Sequence, residues 1–221
     1  MRLDWSWEFT VAILPDLVRA LRLTVEATLA GTVLALTLGL LLALCRRSPI
    51  GGISAAAAWM IELVRGTPLL IQIYFLFYVL PGYGLTMTPF LTGVLALGVH
   101  YSAYTSEVYR AGIDSVPRGQ WEAARALNLP PGRTFFRVIL PQAIPPVVPA
   151  LGNYIVAMFK DTPLLSTITV LELLYTAKDL GAQTFRYVEP FTLVGALFLV
   201  VSLAAAAGIR MVERRLPAYG T

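Results

Sequence analysis

Four apolar runs, at residues 23–44, 53–80, 89–109 and 191–210, dominate the sequence. Each is about as long as the roughly 20 residues a helix needs to cross a hydrocarbon core of about 30 Å. A fifth run, at 143–159, is shorter and carries Pro145, Pro146 and Pro149 near its start; it is counted as spanning too. Residues 164–177 are apolar but short and are bounded by Lys160, Asp161, Lys178 and Asp179, which suits a re-entrant or externally packed helix. A soluble core cannot hide this much apolar surface: 14% of the 221 residues are charged, against roughly 25% in an ordinary soluble domain. The fold class that follows is all-α and polytopic, with about five transmembrane helices in a bilayer.

Arginine placement orients those helices. Arg46 and Arg47 follow the first run, Arg110, Arg118, Arg125, Arg133 and Arg137 surround the connection after the third, and Arg210, Arg214 and Arg215 close the chain. The three places share one side only with five spans. The connection 81–88 has no charge, and in 160–189 acids outnumber bases. The N-terminus is therefore expected outside and the C-terminus in the cytoplasm. The first fifteen residues, with Asp4, Glu8 and Pro15, lack the pattern of a cleavable signal, so the first span is expected to act as its own targeting signal.

The net charge of +4 does not point to nucleic acid, because the 17 basic residues include two lysines and form no clustered tract. Cys45 is the one cysteine, so no intrachain disulfide is possible, and no metal-ligand set is visible.

The longest polar interruption begins at Asp114 and reads DSVPRGQWEAARALNLPPGRTFFRVILPQ. Pro117 and Gly119 stop one helix, residues 120–127 favour another, and Pro130, Pro131 and Gly132 stop it again. A helix of about two turns is marginal in water, so it either docks onto a partner or lies on lipid headgroups with Trp121 as anchor. Within it, Glu122, Ala123 and Ala124, then Asn128, then Val138, Leu140 and Pro141 resemble the EAA motif of ABC importer permeases. Asn128 stands where that family usually has Gly, and Val138 where it has Ile. The Gly would form a left-handed helix cap, a conformation that Asn tolerates well.

The resemblance covers nearly the whole chain. RGTPLLIQIYFLFYVLP from Arg65, SEVYRAGIDSVPRGQWEAARAL from Ser106 and LPQAIPPVVPALGNYIVAMFKDTPLLS from Leu140 are similar to permeases of the polar amino acid uptake family. GVHYSAYTSEVYRAG from Gly98 and TFRYVEPFTLVG from Thr184 look most like ectoine and hydroxyectoine permeases. This implies a type I ABC importer permease fold in the bacterial inner membrane. Residues 1–221 would be one permease domain, with a cytoplasmic coupling loop at 111–141. The implied partners are a second permease subunit, an ABC ATPase subunit and an extracytoplasmic solute-binding protein. ATP and magnesium would sit on the ATPase; no P-loop is expected here, since Lys160 follows Phe159 and Lys178 follows Ala177. The chain would not itself be an enzyme. Gly119, Glu122, Ala123, Ala124, Asn128, Leu140 and Pro141 would couple it to the ATPase. The solute would be small and zwitterionic, either ectoine or hydroxyectoine or a polar amino acid such as Arg, His, Gln or Glu. An ATP-independent channel or secondary transporter is the rival reading, although no internal repeat is visible; a membrane anchor with no solute path is another.

Several charges fall at membrane depth. Glu62 and Arg65, three apart beside Gly66 and Pro68, can share a helix face as a structural ion pair. Glu107 and Arg110 repeat the spacing near the cytoplasmic end. Lys160, Asp161 and Thr162 precede Pro163, and such helix breaks host transporter sites; the corner offers a cation and an acid to a zwitterion, or an internal charge balance. His100, Tyr101, Tyr104, Asn153 and Met158 are further candidates for the solute path, each with an alternative reading as plain helix packing.

Overall fold

The computed structural model describes residues 5–215, and every regular element among them is helical. The first helix, α1 (Trp7–Arg46), is capped by Ser6, whose hydroxyl accepts the Phe9 N–H at 3.2 Å. Its 40 residues reach about 60 Å at the α-helical rise, roughly twice a hydrocarbon core. The surplus is its first part, where Asp16 pairs with Arg19 and Arg22 with Glu26.

The second apolar run is not one rod. Helix α2 (Gly51–Arg65) ends at Gly66, and α3 (Leu69–Tyr74) continues through a π-helical turn, Phe75–Val79, to Tyr83. The two pieces meet at 103°, so the continuous span expected over 53–80 is corrected to a broken one. Pro68 is the cause: it has no N–H for the helix ladder and biases Thr67 away from helical angles.

Helix α4 (Pro89–Asp114) is the central element, set among α1, α2, α3 and the later α7. It is more polar than a lipid-facing span because it faces protein. Its buried Thr92, Ser102 and Ser106 bond to carbonyls of their own helix, and Thr105 donates across to Ala35 O at 2.9 Å. Close approach to α1 depends on small residues: a Cβ on Gly39 would strike Thr105, and one on Gly98 would strike Leu34.

Helix α5 (Arg118–Ala126) lies in the connection, as its prolines foretold, and is followed by α6 (Pro131–Thr134). A π-helical turn, Phe135–Ile139, then leads into α7 (Leu140–Asp161), which keeps its helical path through Pro145, Pro146 and Pro149. Beyond it, the apolar stretch 164–177 is divided: a 3-10 turn, Thr162–Ile168, a left-handed Thr169 (φ 64°), and then α8 (Leu173–Thr184). The last helix, α9 (Val188–Glu213), is tied to the start of α1, where Glu189 accepts the Ser6 N–H at 3.1 Å. By length and composition the stretches Trp7–Arg46, Pro131–Ile168 and Val188–Glu213 can cross a membrane, and the bent α2–α3 pair makes a fourth.

Candidate functional site

Four aromatic rings converge between α4 and α7. His100, Tyr101 and Tyr104 come from consecutive turns of α4, and Tyr154 comes from α7. Ring centroids lie 5.2 Å apart for His100 and Tyr104, 5.6 Å for Tyr104 and Tyr154, and 6.2 Å for Tyr101 and Tyr154. Their edges and faces meet at an angle, the arrangement the ring quadrupole favours.

Charge flanks this cluster on two sides. Asp161, at the end of α7, accepts the Tyr101 hydroxyl at 2.7 Å. Arg65, at the broken end of α2, holds its guanidinium 5.6 Å from the Tyr104 ring centroid, a cation–π distance. The break itself is closed by Gln72, whose Nε2 donates to Val64 O at 2.8 Å, Thr67 O at 3.1 Å and Thr67 Oγ1 at 2.8 Å. Beside it opens a cavity of about 460 Å³, lined by Leu63, Val64, Ile71, Gln72, Phe75 and other apolar side chains of α3 and α4. The helix break adjoins the rings through Gln72, whose oxygen faces His100 Nδ1 at 3.2 Å, and through Arg65.

The structure brings His100, Tyr101, Tyr104 and Asp161 together, with Met158 in the same buried core as Tyr101, and places Lys160 and Asn153 elsewhere. Lys160 is exposed and lines a groove with Val156, Pro163, Phe198 and Ser202, where α7 meets α9. Lys160 opens to the α7–α9 groove while Asp161 turns to Tyr101, so the two side chains leave α7 on different sides and do not form the charged corner expected there. Thr162 is fully buried and bonded to Phe159 O, and Met158 is buried against Thr32. Asn153 is exposed on α7, outside the ring cluster. The Glu62–Arg65 pair is loose, at 4.0 Å, and Arg65 turns to Tyr104 instead. Arg65, and not Lys160, is the cation placed against the ring cluster. Gln72 and Tyr154 were missed: nothing in an apolar run marks which glutamine or tyrosine faces inward, although Gln72 sits four residues after the helix-breaking proline.

A second assembly occupies the polar connection. Arg110 bonds Glu107 at 2.6 Å and Asp114 at 3.1 Å, and Asp114 is also paired with Arg47, so the ends of α1 and α4 are fastened together. Below them α5 packs through Trp121 on Ile113, Val116 and Ile139. Ala124 is 3% exposed, so it is buried within the chain and does not lie on the exposed face of α5. Gly119, Glu122, Ala123 and Asn128 are exposed, as is Leu127 beside them. Pro141 is exposed and Leu140 half-buried at the start of α7. Asn128 adopts φ 50°, the left-handed cap for which Asn can replace Gly. A cleft of about 550 Å³ lies beside α5, lined by Arg118, Trp121, Glu122, Arg125 and Leu129.

Residues 35–217 match the family described as the binding-protein-dependent transport system inner membrane component. The chain belongs to this family. A probable amino-acid ABC transporter permease of Sinorhizobium fredii is 50% identical over 212 residues, covering 96% of this chain and 92% of that one. The arginine transport system permease ArtQ of Bacillus subtilis is 32% identical over 217 residues, with 98% of each chain covered. Among solved structures, an amino acid ABC transporter crystallised with histidines superposes with a TM-score of 0.92 at 35% identity, covering 96% of this chain and all of that one. The fold is that of a type I ABC importer permease, and the chain is a multi-pass permease subunit of an amino acid ABC importer in the inner membrane. It is not an enzyme; ATP hydrolysis in such importers belongs to a separate ATPase.

Proposed function

We propose that the ring cluster of His100, Tyr101, Tyr104 and Tyr154, with Asp161 on one side and Arg65 on the other, is the solute site of this permease. The observation that carries the reading is an acid and a cation facing one aromatic enclosure beside a broken helix. An amino acid needs both: its ammonium group suits Asp161 and the tyrosine faces, and its carboxylate suits the Arg65 fork. A polar amino acid is the solute class favoured by the functions of the relatives. Ectoine or hydroxyectoine, zwitterions of similar size, are the second reading, supported by the resemblance at residues 98–112 and 184–195.

In this reading residues 1–221 form one permease domain that pairs with a second permease subunit. The exposed face of α5, with Gly119, Glu122, Ala123 and Asn128, seats in an ABC ATPase that holds ATP and magnesium, with Leu140 and Pro141 at the loop's far end. A solute-binding protein delivers cargo from outside.

The test is uptake and solute-stimulated ATP hydrolysis by the reconstituted complex, offered arginine, histidine, glutamine, glutamate and ectoine. Asp161→Asn should keep assembly with the ATPase and lower apparent affinity for the transported solute roughly a hundredfold, the effect of removing one partner from a desolvated charge contact. Wild-type uptake by Asp161→Asn would reject the site.

A further inference from the structure

Gln72 is partnered on both ends of its side chain. Its amide nitrogen has two hydrogens and faces three acceptors of the broken α2 end: Val64 O, Thr67 O and the Thr67 hydroxyl. Reversing the amide would set its oxygen against two carbonyls, so the nitrogen belongs there. Carbonyls freed by a helix break must find donors at membrane depth, which holds the amide in this orientation. The Gln72 oxygen then faces His100, 3.2 Å from Nδ1. An amide oxygen only accepts, so Nδ1 must carry the proton. In the neutral ring that leaves Nε2 bare.

Nε2 makes no hydrogen bond among the described residues, while the ring lies against Tyr101 and Tyr104. We infer that Gln72 is a positioning residue: by bridging the α2 break to His100 it fixes the Nδ1–H tautomer, so that Nε2 stands as a hydrogen-bond acceptor for an N–H donor of the solute. The broken helix thereby sets the polarity of the site, favouring solutes that present a protonated nitrogen to the rings. The tautomer stands on Gln72 alone, whereas the contact with solute rests on the site reading given above.

His100 is the only histidine in the chain, so labelling the permease with ring-¹⁵N histidine gives one imidazole to follow. The complex is assembled in nanodiscs with unlabelled ATPase and binding protein, a purification tag free of histidine, and a pH near 8. Solid-state ¹⁵N spectra without solute should show a protonated Nδ1 and a bare Nε2, and Gln72→Leu should lose that single tautomer. Addition of saturating L-arginine, L-glutamine or ectoine should move the Nε2 resonance with at least one of them and leave Nδ1 nearly fixed. His100→Asn, whose shorter amide can donate to Gln72 but places no acceptor where Nε2 stood, should weaken that solute about tenfold while assembly is retained. A protonated Nε2 in the solute-free spectrum overturns the tautomer. Binding that Asp161→Asn weakens, with no movement of Nε2 under any of the three solutes, overturns the His100 contact and leaves the site reading intact. Binding indifferent to Asp161→Asn removes the site reading itself.

Discussion

Single residues in this permease are decided by which face of a helix they take. Asp161 and Lys160 are adjacent in sequence, yet one bonds Tyr101 and the other lines the α7–α9 groove. Glu172 is the other acid whose position matters. It is fully buried at the start of α8, between the spanning segments, and accepts the N–H groups of Leu174 at 2.9 Å and Tyr175 at 2.7 Å. Burial outweighs those bonds and pushes its carboxyl up to about 7 from the usual 4.5. The folded state therefore holds this proton more tightly than the unfolded one. The stabilisation is full below about pH 4.5 and is lost as pH rises through about 7, a difference of about 3 kcal/mol. Glu172→Gln keeps an acceptor for the cap and cannot ionise, so thermal melts of the detergent-solubilised complex should lose much of their fall between pH 5 and pH 8. An unchanged slope in the variant would show that Glu172 is not the titrating group. From sequence, His100, Tyr101, Tyr104 and Asp161 were legible because α4 spacing and a terminal charge announce them. Tyr154, Gln72 and the role of Arg65 were not, because they depend on how α2 and α7 rotate against α4.

At the scale of elements, the polar connection between α4 and α7 shows how far a motif reaches. The helix, its proline boundaries and the left-handed Asn128 all follow from local chemistry. The burial of Ala124 does not, since it depends on how α5 seats on the rest of the chain. The small side chain serves the chain's own interior, and Ala123 presents the outward surface. The two alanines therefore separate two effects. Ala124→Trp should overpack the loop at roughly 1 to 3 kcal/mol and lower thermal stability before any effect on partners. Ala123→Trp should leave that melt within about 0.5 kcal/mol and instead release the ATPase on co-purification. If Ala123→Trp retains the ATPase and its solute-stimulated hydrolysis in full, α5 is not the coupling element and lies on headgroups instead. The broken α2–α3 segment gives the complementary lesson. Pro68 marks a break in the sequence, but its 103° angle is fixed by Gln72 and by the seat of α3 on α4.

For the whole molecule, helix directions constrain the topology independently of arginine placement. Gly31 lies against Leu97, Ala35 O accepts Thr105, and Arg47 pairs with Asp114, so positions advance together along α1 and α4 and the two run parallel. Parallel helices need one crossing between them, which makes the bent α2–α3 pair a single crossing and not a return to the same side. Gly152 meets Ile209 while Phe159 meets Phe198, so α7 and α9 are antiparallel, and residues 162–187 join them on one side without crossing. Glu189 accepts the Ser6 N–H, so α9 starts beside the start of α1 and runs with it. Five crossings satisfy all three relations, with α4, the apolar run at 89–109, as one of them and its polar side chains buried against protein. The arginines at the ends of α1, α4 and α9 then choose the side. A reporter fused to the C-terminus should read cytoplasmic, one inserted in the 81–88 loop external, and one at residues 183–186 external as well. If the insertion at 183–186 reads cytoplasmic while the 81–88 loop reads external, α8 and the turn before it cross the membrane, and the side-by-side placement of Ser6 and Glu189 cannot hold in the bilayer.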